Sequence, residues 1–172
     1  MPRVSVKENK NAYFQRREEL GLTREEASEL LEGVTPERLE KIENERVTPH
    51  PDEVLLMAEK YKKPELCNFF CVHQCDIGKQ YVPEIHVKDL SRIVLEMVAS
   101  MNSARKGQER LIEIAADGEI KDEEIEDFVR IQQELEKISV TVETLQLWSE
   151  KMLADGRINR DKYEECMSRL SD

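Results

Sequence analysis

From about Lys88 to Asp172 the chain contains no proline, and its glycines there are Gly107, Gly118 and Gly156. Proline removes an amide donor and clashes with the preceding helical turn, so a stretch this long without one favours long helices. Two apolar series occupy it. Leu90, Val94, Met97, Met101, Ala104, Leu111 and Ala115 recur at alternating steps of four and three, with Gln108 in one slot. Phe128, Ile131, Leu135, Ile138, Val142, Leu145 and Met152 repeat the pattern, with Ser149 in one slot. A period near 3.5 is that of a coiled-coil-like seam, and a long helix buried in a bundle shows it too. Both give a long hairpin, each arm roughly 40–50 Å at 1.5 Å per residue. Helices near 88–116, 121–154 and 160–170 are expected. Ile93, Leu95, Ile112, Ile114, Ile125, Val129, Leu147 and Trp148 widen the apolar surface. That surplus predicts a homodimer through these helices. The Met97 and Met101 pair, at helical spacing, reads as core sooner than as a ligand pocket, and any protein or small-molecule effector is left open.

The corners of this half repeat. Ala116-Asp117-Gly118-Glu119-Ile120 returns 38 residues later as Ala154-Asp155-Gly156-Arg157-Ile158. The Asp-Gly-x-Ile core looks like that of an EF-hand calcium loop, but the ligand positions do not follow. With Gly118 sixth in the loop, the third position is Ala115; the second copy has Lys151, Leu153 and Lys162 at the first, third and twelfth. Calcium needs oxygen at most of these. Both are therefore read as helix corners, with glycine just past the helix end and polar residues downstream as caps.

The first half is punctuated differently. Lys10 to Leu20 reads as a helix stopped at Gly21, a typical residue just past a C-cap. Thr23-Arg24-Glu25-Glu26 is a capping box, opening a helix that runs to about Glu32 and ends at Gly33. Thr35-Pro36-Glu37-Arg38 opens a third helix, with an N-cap followed by proline where its missing N–H costs nothing. Leu39 and Ile42 face inward and the helix ends near Asn44. Asp52 to Tyr61 is a fourth, and Pro64 starts a short fifth through Leu66 and Phe70.

Arg17 to Glu26 and Leu39 to Asn44, followed by Pro49 and an apolar helix, resemble the Cro/repressor-type (XRE) helix-turn-helix family over roughly residues 9–71. The resemblance implies a five-helix helix-turn-helix domain, placed over residues 1–80; with the long-helix hairpin or bundle read from periodicity over 81–172, the whole chain is expected to be all-α. In that family the second helix crosses the DNA backbone and the third enters the major groove. Position by position, Arg24 would face a phosphate and Arg46 would approach another. Thr35, Glu37, Arg38 and Lys41 would lie on or beside the base-facing edge of helix three. The family's internal ion pair falls on Arg17 and Glu43. Between Leu31 and Val34 the chain is one residue longer than the usual turn. Glu37 and Glu40 are unfavourable beside phosphates unless they read a base, which glutamate does at cytosine N4.

Charge narrows the functional classes. With 37 Asp and Glu against 26 Lys and Arg, the net charge is −11. Residues 1–85 hold 13 basic and 17 acidic side chains, so most of the excess lies in the second half. Coating nucleic acid through bulk charge is excluded; any DNA contact has to be local. No GxSxG, phosphate-cradling glycine loop or HExxH pair is present, so an enzyme is not expected. No apolar run approaches the ~20 residues of a membrane span. The opening residues Met1 to Glu8 lack a secretory apolar stretch, so the expected location is cytoplasmic.

Cys67, Cys71 and Cys75 stand at i, i+4 and i+8, with His73 between the last two and Cys166 far away. On one helix the three would share a face, and zinc accepts such Cys/His sets. The spacing is not that of paired CxxC motifs, and cysteine often packs as a small hydrophobe. Core packing is the reading taken, so no cofactor is expected. His50 and His86 read as turn or linker residues. The resulting expectation is a dimeric, sequence-specific, repressor-like DNA-binding transcriptional regulator. The alternative is an acidic adaptor or anti-repressor that binds a protein and not DNA.

Overall fold

The computed structural model describes residues 10–170, all helices and connecting segments, with no strand among them. The segment Met1 to Glu8, on which the expected location rested, lies outside the described residues. Two compact units divide the chain. One takes residues up to Glu84 together with those from Ser149 onward, and the other is Ile85–Trp148.

In the first unit, short helices are cut to length by their caps. α1 (Ala12–Glu19) begins at Asn11, whose side chain accepts the Phe14 amide. α2 (Arg24–Leu31) opens with the complete Thr23–Glu26 capping box. α3 (Pro36–Glu43) opens with the Thr35 hydroxyl accepting the Arg38 amide. α4 (Pro51–Lys60), α5 (Glu65–His73) and the single turn α6 (Gly78–Tyr81) follow. α1, α3 and α4 end in the same pair of reversed hydrogen bonds, in which two amides past the helix reach back to its last carbonyls. Gly21 supplies the left-handed residue after α1, but Glu45 and Lys62 do so after α3 and α4. α2 likewise ends on a left-handed Glu32 (φ 48°) and not on Gly33, so the extra residue of this turn is absorbed one position early.

These helices enclose one core in which Ala27, Leu31, Leu39, Ile42, Met57 and Tyr61 are almost wholly buried. The chain's last part contributes to this unit: the Lys151 ammonium donates to Glu65 at the start of α5 at 2.7 Å. The second corner is a helix end with Gly156 (φ 69°) just past it, and Asn159 caps α9 (Arg160–Leu170) by accepting the Lys162 amide. Asp155 and Asp117 therefore serve corners. Asp117 accepts the Glu119 amide and pairs with Lys121 at 2.7 Å.

The second unit contains α7 (Leu90–Ile114), a 3-10 turn at Asp122–Glu124 and most of α8 (Ile125–Ala154). α7 and α8 run antiparallel, as Gly107 against Ile131 and Arg110 against Asp127 show. The inward stripe overlaps the expected one only in part. On α7 it keeps Met97, Ala104 and Leu111 and adds Ile93, Ser100, Gly107 and Ile114, all buried or half-buried, whereas Leu90, Val94, Met101 and Ala115 are exposed. On α8, Ile131, Ile138, Thr141 and Leu145 turn inward while Leu135 and Val142 are exposed. Each arm has one partner arm and so buries one stripe. The small residues win on α7 because they let the helices approach: a Cβ at Gly107 would stand 3.0 Å from Ile131 Cγ1. The inward hydroxyls cost little, since Ser100 donates to the Met97 carbonyl and Thr141 to that of Ile138.

One close approach is testable. A Cβ on Gly78 would lie 2.1 Å from the Cys71 carbonyl oxygen, a backbone atom that cannot swing aside. Gly78→Ala is expected to cost about 1–3 kcal/mol of stability, the usual penalty of overpacking. Urea unfolding measures it, and an unchanged midpoint would show that the turn after α5 relaxes freely.

Candidate nucleic-acid interface

The solvent face of α3 is defined by what its other face buries. Leu39, Ile42 and Glu43 point inward, leaving Thr35, Glu37 and Lys41 exposed with Arg38 and Glu40 on the flanks. Glu43 is 1% exposed, and both its oxygens are engaged. Arg17 donates Nε to one oxygen and an Nη to the other at 2.9 Å. Arg24 adds its Nε to the second oxygen, also at 2.9 Å. Burial by itself pulls the Arg17 pKa down, but the hydrogen bond and charge of Glu43 outweigh it and leave it raised. Arg17 also donates to the Leu22 carbonyl at 2.6 Å, and both guanidiniums lie against the Phe14 ring. Asn11 completes the junction by donating to the Ile42 carbonyl at 2.8 Å. One carboxylate thus ties α1, α2 and α3 together.

The other residues read from the sequence are brought to the same region with unequal freedom. Arg38 is held in a fork by Glu53 of α4, both bonds at 2.8 Å, and also donates to the Thr48 carbonyl at 3.2 Å. Glu53 in turn accepts the His50 amide at 2.6 Å, which fixes the start of α4. Arg46 is largely exposed and makes a looser pair with Glu40 at 3.3 Å. Lys41 makes no ion pair with any described residue. Its charge helps hold the Glu37 carboxyl below the usual range, after that residue's own backbone amide and the Thr35 hydroxyl. Thr35 is tied to the helix start by its cap. The face is therefore nearly neutral: Arg24, Arg38 and Arg46 each meet a carboxylate, and Lys41 stands near Glu37.

Sequence reasoning did not single out Glu53 or Asn11. The signal for Glu53 was present, a Pro-Asp-Glu start to α4 that sets Glu53 three residues after the N-cap His50, but its reach to Arg38 depends on the tertiary fold.

The family-model comparison matches residues 15–66 to the family described as Helix-turn-helix. That stretch is a helix-turn-helix domain of the Cro/repressor type. The match runs from within α1 through α2, α3 and α4 to the first residues of α5, and leaves the long helices outside it. Neither the curated proteins nor the solved structures give a match to this chain. A helix-turn-helix domain supports a DNA-binding regulatory role.

The remaining sequence candidates lie on α5 and just beyond it. Cys67, Cys71 and Cys75 are half-buried free thiols, and burial pushes the first two up from the ordinary thiol pKa. His73 turns toward Phe69 and Glu84. Among the described residues no group of three or more Cys, His, Asp or Glu is placed to hold a metal ion. No described helix is long and apolar enough to cross a membrane.

Two consequences can be measured. Glu43→Gln leaves two arginines facing a neutral amide and is expected to cost about 3–5 kcal/mol, the penalty for breaking a buried pair. Arg24→Gln is expected to cost under about 1 kcal/mol, because water screens that partly exposed arginine. Chemical unfolding of both variants checks the order, and equal losses would remove Glu43 from its central place.

The Arg38 hydrogen bond is the main cause holding the Glu53 pKa below the ordinary range. A depressed carboxyl contributes stability above its unfolded pKa, about 4.3, and loses it as pH falls through the folded value. The stability gap between the protein and Arg38→Met should therefore be full above about pH 5 and close progressively below about pH 4. A gap independent of pH would contradict the fork.

Proposed function

We propose that this chain is a cytoplasmic, sequence-specific DNA-binding transcriptional regulator of repressor-like character, working as a homodimer through its C-terminal helices. The observation that carries the reading is the solvent face of α3, held by the Glu43 junction and presenting Glu37 and Lys41 within the helix-turn-helix domain. Lys41 is suited to guanine O6 and N7, and Glu37 to cytosine N4. Thr35 and Arg46 flank them, at the start of the helix and just past its end. Arg24 and Arg38 keep donors beyond those their carboxylates occupy, because a guanidinium has five N–H groups. They contact phosphates without leaving Glu43 or Glu53.

One observation favours a second reading, an acidic adaptor or anti-repressor that binds a protein and no DNA. All three arginines proposed for the interface already face a carboxylate. The distinction can be tested by selecting bound duplexes from a random pool at low salt. A palindromic motif is expected, since paired helix-turn-helix domains read paired half-sites, and Lys41→Ala should lose it. No enrichment from an intact dimer would overturn the DNA reading in favour of the adaptor.

Salt adds a second measurement. Arg24 and Arg38 meet phosphates with their charge already offset by Glu43 and Glu53. Counterion release therefore falls mainly to Lys41 and the loosely paired Arg46, about two per chain, and a dimer should show a log–log slope near −4. A slope of about −8 or steeper would contradict this contact set.

A further inference from the structure

The α7–α8 hairpin has two unlike sides. Positions one residue before the buried stripe include Arg92, Glu96 and Arg110 on α7, and Arg130 and Lys137 on α8. This side is dense in ion pairs: Arg92 with Glu96 at 3.1 Å, Arg110 with Asp127 at 2.8 Å, and Lys137 with Glu134 at 2.7 Å. Two open grooves, of about 670 and 260 Å³, are lined by both helices here. One residue along a helix is a rotation of about 100°. In antiparallel helices that rotation carries the positions following the stripe to a shared side, opposite the positions preceding it.

This opposite side carries Leu90, Val94, Val98, Met101 and Ile112 from α7, and Leu135 and Val142 from α8. All seven are between 39% and 62% exposed. The other positions in this register include Arg105, Gln108, Ala115, Gln132, Ser139 and Gln146, with no carboxylate among them. The seven leave roughly 600 Å² of apolar surface open, at the upper limit of a single patch on a soluble monomer. With Gln108, Gln132, Ser139 and Gln146 around it, the face approaches the ~800 Å² per partner of a stable interface.

We infer that this face, and not the ion-paired side, is where a second copy of the chain docks, closing two hairpins into a symmetric four-helix contact. The inference rests on the homodimer of the proposed function and names its surface. The area is sufficient for an isologous pair, in which the same patch serves both copies. Charge favours this occupant: two chains of net charge −11 repel, and self-association is easiest where the centre of the face holds no carboxylate. Here the carboxylates stand at its margin, as Glu143 does beside Ser139, while the opposite side concentrates them in ion pairs.

The test uses the full-length protein in sedimentation equilibrium, with far-UV circular dichroism as a check on helix content. The expected mass is twice 20.1 kDa. Val98→Glu and Leu135→Glu bury a charge against the partner, and each should raise the dissociation constant at least about 100-fold. Gln133→Glu, on the ion-paired side, should leave it unchanged. If a glutamate variant loses helix content, Met101→Ser combined with Leu135→Ser adds no charge and should still weaken the dimer at least about tenfold. A single-chain mass throughout the micromolar range, or a dimer indifferent to these variants, would overturn the inference. A dimer through this face that enriches no duplex overturns the DNA reading and leaves the face standing. An enriched motif bound by a monomeric chain does the reverse.

Discussion

Glu43 is the interaction on which the arrangement of the helix-turn-helix domain depends. A carboxylate 1% exposed would be prohibitively placed alone. Two guanidiniums and two occupied oxygens make it tolerable, and the arginines come from α1 and α2. A hydrophobic residue there would pack as well but would not select one orientation of three short helices. None of the three exceeds eight residues, too few to be stable in isolation. Their geometry is set by caps at the ends and by this junction at the centre.

The same economy limits what the domain offers to a nucleic acid. Arg24 stabilises the fold through Glu43, and Arg38 joins α3 to α4 through Glu53. Each charge already has a partner, so its field beyond the surface is weak. The balance is the local counterpart of the acidic composition. Part of the carboxylate excess in residues 1–85 lies in the ion pairs of Glu43 and Glu53 and not on the solvent face of α3. Glu40 is likewise turned toward Arg46 and Asn44. The glutamate left facing water on α3 is Glu37, whose carboxyl is drawn to its own helix start.

Much of the domain was legible because its signals are local. The Thr23–Glu26 capping box, Thr35 before Pro36 and the stop at Gly21 are each decided within about four residues. The ends near Glu32, Asn44 and Tyr61 were legible as well, but not the left-handed backbone of Glu32, Glu45 and Lys62, because such a residue without glycine is held by the contacts of the next segment. The hairpin shows a different limit. Its heptad period is local and was readable, and Met97, Ala104 and Leu111 do face inward, but the inward stripe also contains Ser100 and Gly107. Hydrophobicity ranks Leu90, Val94 and Met101 above these two. Close approach of the two backbones reverses the order, a property of the pair that neither helix displays alone. The same holds for Arg38, whose sequence position marks it for an external partner while the fold provides Glu53.

These features bear on one another through affinity. A domain with few unpaired cations gains little from the phosphate backbone, which ordinarily supplies most of the binding free energy that does not depend on sequence. Specificity would then rest on a short α3 edge, too little for a single copy to hold a site against competing duplex. Joining two copies makes the second engagement intramolecular, and affinity rises by orders of magnitude without a new contact to DNA. In the proposed dimer the nearly neutral solvent face of α3 and the apolar side of the hairpin would therefore complement each other: what the first lacks in charge, the second would offset by joining two copies.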